Sequence, residues 1–343
     1  MAQDGLCAEN VHAIIAASGA AKWLGVCGLD QAIFGEWLAA TGDNPIDVLG
    51  TSIGTFKLAA AFQADPVRAL GDLAEAYIAQ QYTSKPTPVE VARETERIVD
   101  TVLPDRGRAV LDHPRLRLHA GTVRCQRGLS SELPGVQKRA LVAGFCLNAL
   151  RRGALQRYVS RVVFSDPRST WPLSASDGLP SEQVSLDAHN IVQAVNASGA
   201  LPVYMQAVED IAGSAPGVYR DGGLLDYHPV PDLMFDSCGR SGIILYPHFF
   251  DSLCQGWFDK FLPWRRVPGS ALDNVLLVAP SAHYVAKLPG GRLPDRADFL
   301  KLDNQARQRN WRDALAASAV LGEEFLNCVN DTDALLKRIE PLE

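Results

Sequence analysis

Residues 47–60 read DVLGTSIGTFKLAA: an apolar run, a serine between two glycines, then a helix-forming run. The spacing predicts a short strand over "PIDVLG" (45–50), a sharp turn through Ser52, and a helix over "SIGTFKLAAAFQAD" closing before Pro66. Ahead of it, "VHAIIAA" (11–17) is short, apolar and β-compatible, and "GLDQAIFGEWLAATG" (28–42) repeats Leu29, Ile33, Phe34, Trp37 and Leu38 at helical spacing. Strand, helix, strand, helix is the order that builds parallel strands with helices packed on the sheet. Ser52 itself has two readings at this point, a nucleophile or a plain helix start.

Outward from this core the same punctuation continues. Residues 66–106 read as mostly helical, interrupted by "SKPTP", and "GTVRCQ" (121–126) as a strand. Residues 136–157 read as a helix with basic ends, "SRVVFS" (160–165) as a strand, and "LDAHNIVQAVNASGALP" (186–202) as a helix stopped by Gly199 and Pro202. "GVYRDGG" (217–223) is a strand ending in a turn, "SGIILYPH" and "NVLLVAP" are β-branched runs of buried strands, and 302–339 is helical. With no repeat and no low-complexity linker, residues 1–343 are expected to form a single domain.

Composition is that of an ordinary globular chain: 343 residues, 47% hydrophobic, 33 basic against 39 acidic side chains, net −6. That balance argues against a nucleic-acid partner. The seven cysteines, Cys238 among them, are scattered without a C-x-x-C pair and read as thiols of a reducing compartment. The first 21 residues carry no Lys or Arg, and no apolar run approaches the roughly 20 residues of a membrane span, so a cytoplasmic location is expected.

A serine hydroxyl needs a base to take its proton, and the attacked carbonyl needs waiting hydrogen-bond donors. A strand-to-helix turn lifts the side chain clear of the sheet and adds the N–H groups of a helix start. Two partner schemes are open. A Ser-His-Asp triad has His283, in "APSAHY" after a strand, as its best base. A Ser-Asp pair has Asp221 in "YRDGGLLDYHP", where a partly buried carboxylate gains basicity and the trailing glycines admit close backbone approach.

Four segments, in order, resemble the patatin-like phospholipases and acyl hydrolases. "GTSIG" matches that family's nucleophile turn, "DGG" its aspartate motif, and "NASGALPVY" (196–204) the stretch that precedes the aspartate. "SGAAKWLGVCGLDQAI" (18–33) takes the place of its glycine-rich oxyanion loop. The match anchors 11–235, with 236–343 a continuation of the same domain. The resemblance implies a three-layer α/β fold with a mostly parallel central sheet and helices on both faces. It further implies a Ser52–Asp221 dyad, oxyanion donors at Gly19, Ala20 and Ile53, and supporting roles for Lys22, Gly50, Gly54, Gly222 and Gly223. No metal and no organic cofactor is implied. The family usually reads Gly-Gly-Gly-x-Arg/Lys-Gly where this chain has Ser18, Gly19, Ala20, Ala21, Lys22 and Trp23. Alanine keeps the N–H donor but restricts φ, and Trp23 is bulky where glycine is usual.

The implied activity is hydrolysis of a lipid acyl ester (phospholipase A, lysophospholipase or esterase type) through an acyl-serine. The alternatives are a non-catalytic relative that binds lipid or a partner, and the His283 triad esterase. Phe250, Leu253, Trp257, Phe258, Phe261 and Trp264 recur at helical spacing before Arg265 and Arg266. This predicts an amphipathic helix, docked on the core or resting on a membrane surface. The helix over 136–157, with Lys138, Arg139, Arg151, Arg152 and Arg157, has the same ambiguity and is read as a solvated charged face.

Overall fold

A computed structural model describes residues 5–82, 86–174, 176–235, 242–265, 267 and 269–342. Cys238, Arg266 and the Ser84–Lys85 part of the interruption after residue 82 lie outside the described residues. Among the described residues, nine strands form one sheet: β1 (Val11–Ala16), β2 (Ile46–Thr51), β3 (Leu116–Cys125), β4 (Val159–Ser165), β5 (Ser181–Ser185), β6 (Val208–Glu209), β7 (Val218–Asp221), β8 (Ile243–Pro247) and β9 (Val275–Val278). The main order is β5-β4-β3-β2-β1-β8-β9. Strands β3-β2-β1-β8-β9 run parallel, as do β4 and β5, so the sheet is mostly parallel.

Successive side chains of a strand face opposite ways, and β1 shows what that does: Ile14 joins one apolar cluster and Ile15 the other. The first cluster is capped by α1 (Cys27–Ala32), α2 (Ile53–Ala61), α3 (Pro66–Ala79), α4 (Pro88–Val102) and later helices, contributing Leu29, Leu58, Leu70 and Ile98. The second takes Met234 and Ala314 from helices after Asp221, and Leu288 from the bend between two of them. The architecture is α/β, a mostly parallel central sheet flanked by helices.

One arrangement positions everything that follows. β3 pairs along one side with β4, antiparallel, over His119–Cys125. Its other side is shared: β2 pairs in parallel with Leu116–Gly121, and β7 pairs antiparallel with Thr122–Cys125. β2 ends at Thr51 opposite Gly121, and β7 ends at Asp221 opposite Thr122. Two strands that run toward each other therefore finish at neighbouring rungs of β3, carboxyl end to carboxyl end.

Two expectations need correction. The basic helix, α5 here, spans Pro134–Leu150 and gives way to a 3-10 stretch over Arg152–Arg157. Over its described residues 248–265, the aromatic segment is not a helix but a run of turns with one 3-10 turn at Trp257–Asp259. Its carbonyls are taken elsewhere: Tyr227 N–H donates to Gln255 and His228 N–H to Cys254, which holds the chain extended against the turn after Asp221. Asp259 caps the Gly256 N–H at 3.0 Å and fixes the single turn that remains.

Candidate active site

Ser52 stands between β2 and α2 with φ 55° and ψ −131°. For a residue with a Cβ this is strained backbone, of order 1–3 kcal/mol, held only because its surroundings dictate it. They do so through Ser198, whose Oγ accepts the Ser52 N–H at 3.0 Å, contacts Thr55 Oγ1 at 2.7 Å and donates to the Gly121 carbonyl at 2.8 Å. Gly54 lets α2 start against β1: a Cβ there would lie 2.2 Å from the Ala16 carbonyl oxygen. Gly50 closes the same turn from the strand side. Ile53 opens α2, so its N–H belongs to the positive end of a nine-residue helix.

Asp221 arrives from β7, buried to 2% exposure. Its backbone N–H donates to the Ala200 carbonyl, and its Oδ1 accepts the Gly223 N–H at 2.7 Å. Burial raises its carboxyl pKa to about 6, against the partial relief of hydrogen bonds from the Ser52 side chain and Gly223. Arg296 and Lys260 act on it only as more distant positive charges. Gly222 permits the meeting, because a Cβ there would sit 2.3 Å from the Gly121 carbonyl oxygen.

The loop before α1 completes the site's walls. Gly19 underlies the Phe249 ring, and Ala20 adopts φ 50°, the left-handed conformation where a glycine is cheaper. Ser18 ties three segments together: its N–H donates to the Tyr227 carbonyl at 2.8 Å, and its Oγ meets Thr51 Oγ1 at 2.9 Å. Thr51 Oγ1 in turn donates to the Asp226 carbonyl at 2.8 Å. Trp23 turns away into the core at 1% exposure, so its bulk is absorbed by packing with the helices rather than filling the loop. Lys22 forms an ion pair with Asp295.

Beneath the turn that follows Asp221 lies a buried charge network. Asp226 receives Arg161 through both Nε and Nη2, each at 2.8 Å, and Arg161 also holds Asp177 at 2.6 Å. Arg152 pairs with Asp259 at 2.8 Å and donates to the Leu225 carbonyl. Lys57 of α2 and Asp30 of α1 are a second buried pair, at 2.8 Å, locking the two helices beside the site.

Of the sequence candidates, Ser52, Asp221, Gly50, Gly54, Gly222 and Gly223 come together at the β2/β7 junction, and Gly19 reaches it through Ser18. His283 does not share in the junction: it is exposed on the helix Ala282–Lys287, after the edge strand β9, three strand positions from β2. His228 and His248 are buried, 4.3 Å apart, with pKa values pushed down by burial, His248 to about 3. Each takes a backbone N–H on Nδ1, from Cys254 and Phe250 respectively, and so anchors the aromatic segment. The residues missed from sequence are Ser198, Thr51, Ser18 and Arg161. Ser198 lay inside the recognised "NASGALPVY" stretch, but only the fold brings its hydroxyl under Ser52.

Among the described residues, no group of three or more His, Cys, Asp and Glu side chains is arranged to hold a metal, and no helix is long and apolar enough to cross a membrane. No protein-family model matches the chain, and no curated protein matches it.

Proposed function

We propose that the chain is a serine acyl-ester hydrolase of the patatin type, cutting a lipid ester with a Ser52–Asp221 dyad. The observation that carries this reading is the meeting of a strained strand-to-helix turn at Ser52 with the buried Asp221 carboxyl, its pKa pushed up to about 6 by burial, where β2 and β7 finish at neighbouring rungs of β3. As Ser52 Oγ bonds to the ester carbonyl carbon, its proton passes to Asp221 and the carbonyl π pair moves onto oxygen. The N–H groups of Gly19, Ala20 and Ile53 face that charge, helped by the start of α2. Collapse of the adduct breaks the bond to the alcohol oxygen, which leaves with the proton from Asp221. Water then gives a proton to Asp221 as it adds to the acyl-serine, and the acid departs as Ser52 recovers that proton.

The deciding experiment is labelling with a fluorophosphonate followed by peptide mapping. Modification of Ser52 that is lost in Ser52→Ala supports the reading. A protein that labels at no serine, or that hydrolyses p-nitrophenyl esters after Ser52→Ala, overturns it.

A further inference from the structure

The two segments expected as amphipathic helices meet on one surface. α5 buries Gln137, Ala140, Gly144 and Asn148 and leaves Arg139, Val142, Cys146 and Leu150 outward, with Leu150 84% exposed. The Trp257–Arg265 segment runs along the carboxyl end of this helix. The Phe258 ring packs at Gly144, Asn148 Nδ2 donates to Asp259 Oδ1 at 2.6 Å, and Arg265 donates to the Asn148 carbonyl at 2.6 Å. The contacts bring the segment that carries Phe261 and Trp264, 75% and 65% exposed, to the end of α5 where Leu150 is exposed. Large apolar side chains left in water together mark an interaction surface.

The charge around them says what they meet. From Leu133 to Ser165 the sequence has no acidic residue and six basic ones, of which Arg152 and Arg161 are buried in carboxylate pairs and Lys138, Arg139, Arg151 and Arg157 are exposed, and Lys260 to Leu272 again has no acid, in a chain of net charge −6. The acid of the Trp257–Arg265 segment, Asp259, is buried against Arg152 and Asn148. Exposed Trp, Phe and Leu mixed with Lys and Arg, and with no free carboxylate from either segment, complement an anionic lipid headgroup layer over an apolar interior. The patch also borders the site: Lys260 Nζ lies 3.5 Å from the ring centroid of Tyr227.

We propose that Leu150, Phe261 and Trp264, flanked by Arg151, Lys260 and Arg265, dock the protein on an anionic bilayer. Its purpose rests on the lipid-ester reading, since docking would bring the Ser52 site to esters at the water–lipid boundary. The test uses Ser52→Ala protein, so that binding is read without turnover, sedimented with vesicles of phosphatidylcholine alone or mixed with phosphatidylglycerol. The expected result is binding to the mixed vesicles that weakens with added salt. Phe261→Ser with Trp264→Ser lowers it about tenfold or more, and Arg151→Gln about fivefold, the worth of one basic residue near such a surface. Equal binding to both vesicle types, full binding by the doubly substituted protein, or no vesicle binding because the patch belongs to a protein partner would overturn it. Hydrolysis of p-nitrophenyl butyrate by the unsubstituted protein is scored separately: its absence beside intact vesicle binding sinks the hydrolase alone.

Discussion

Asp221 and Asp226 lie five residues apart on one turn, and each is 2% exposed. Asp226 is met by the fork of Arg161, with Arg152 further off at 3.9 Å. Asp221 is met by neutral donors, the Ser52 side chain and the Gly223 N–H. Burial is the same, so the partner's charge makes the difference: a carboxylate paired with a guanidinium is fixed as scaffold, and one without a cation partner keeps a raised pKa, as the proposed base requires. The scaffold also reaches the Ser52 turn directly, because the Asp226 carbonyl holds Thr51, the residue before Ser52.

The largest effect that separates the two is on turnover. Ser52→Ala and Asp221→Asn are each expected to lower kcat/KM for p-nitrophenyl esters on the order of 10⁴-fold or more without unfolding the protein. On the proposed mechanism Asp221 acts ionised, so in the unsubstituted protein kcat/KM should level off above about pH 6 and fall about tenfold per pH unit below it, given a carboxyl pKa of about 6. A pH profile without that inflection, in protein that remains folded, would remove Asp221 from the role.

Next in size is stability, and here the two sites should respond with opposite sign. Arg161→Met leaves Asp226 and Asp177 without their main cation and should cost about 3–5 kcal/mol by urea denaturation. Asp221→Asn should stabilise. The folded-state pKa of Asp221 is raised, so the native state binds the proton more tightly than the unfolded chain. Stability from this group is full below about pH 4 and is lost as pH rises through about 6. The asparagine variant escapes that loss, on the order of 2–3 kcal/mol at pH 7, and its advantage should vanish by about pH 4. An advantage that does not change with pH would mean that the carboxyl ionises as readily in the folded chain as in the unfolded one, so that burial has not raised its pKa.

What the sequence could disclose follows the same division between local and distant. The strand, turn and helix around Ser52 are written in adjacent residues, and so are β1, β7, β8, β9 and the glycines of "DGG". The order of motifs was enough to name Ser52 and Asp221 together. It could not say that β7 runs antiparallel to β3 and ends one rung from β2, because register is settled by pairing with β3, Thr51 with Gly121 and Thr122 with Asp221, residues far apart in the chain. Arg161 read only as a residue of a strand, its partners Asp177 and Asp226 being far along the chain. β5, "SEQVS", escaped notice because an edge strand this polar shows no apolar run. The aromatic segment misled for the converse reason. Its spacing was helical, but Tyr227 and His228 claim its carbonyls, and periodicity carries no record of a competing partner.

The smallest expected effect tests the strained backbone on the two sides of the site. Ser52 and Ala20 both hold positive φ, at 55° and 50°. At Ser52 the strain cannot be relieved without removing the hydroxyl, whereas Ala20 contributes only an N–H that glycine also has. Ala20→Gly should recover roughly 1–2 kcal/mol of left-handed strain and lose about 0.4–1 kcal/mol to the greater freedom of the unfolded chain, a net gain within about 1 kcal/mol. Its kcat/KM should move by less than about threefold, since the donor remains. Ala20→Val, β-branched at the same φ, should lower both stability and turnover. A valine variant as active as the parent would show that the loop can abandon this conformation without harm, and Ala20 would then have no claim to hold the oxyanion.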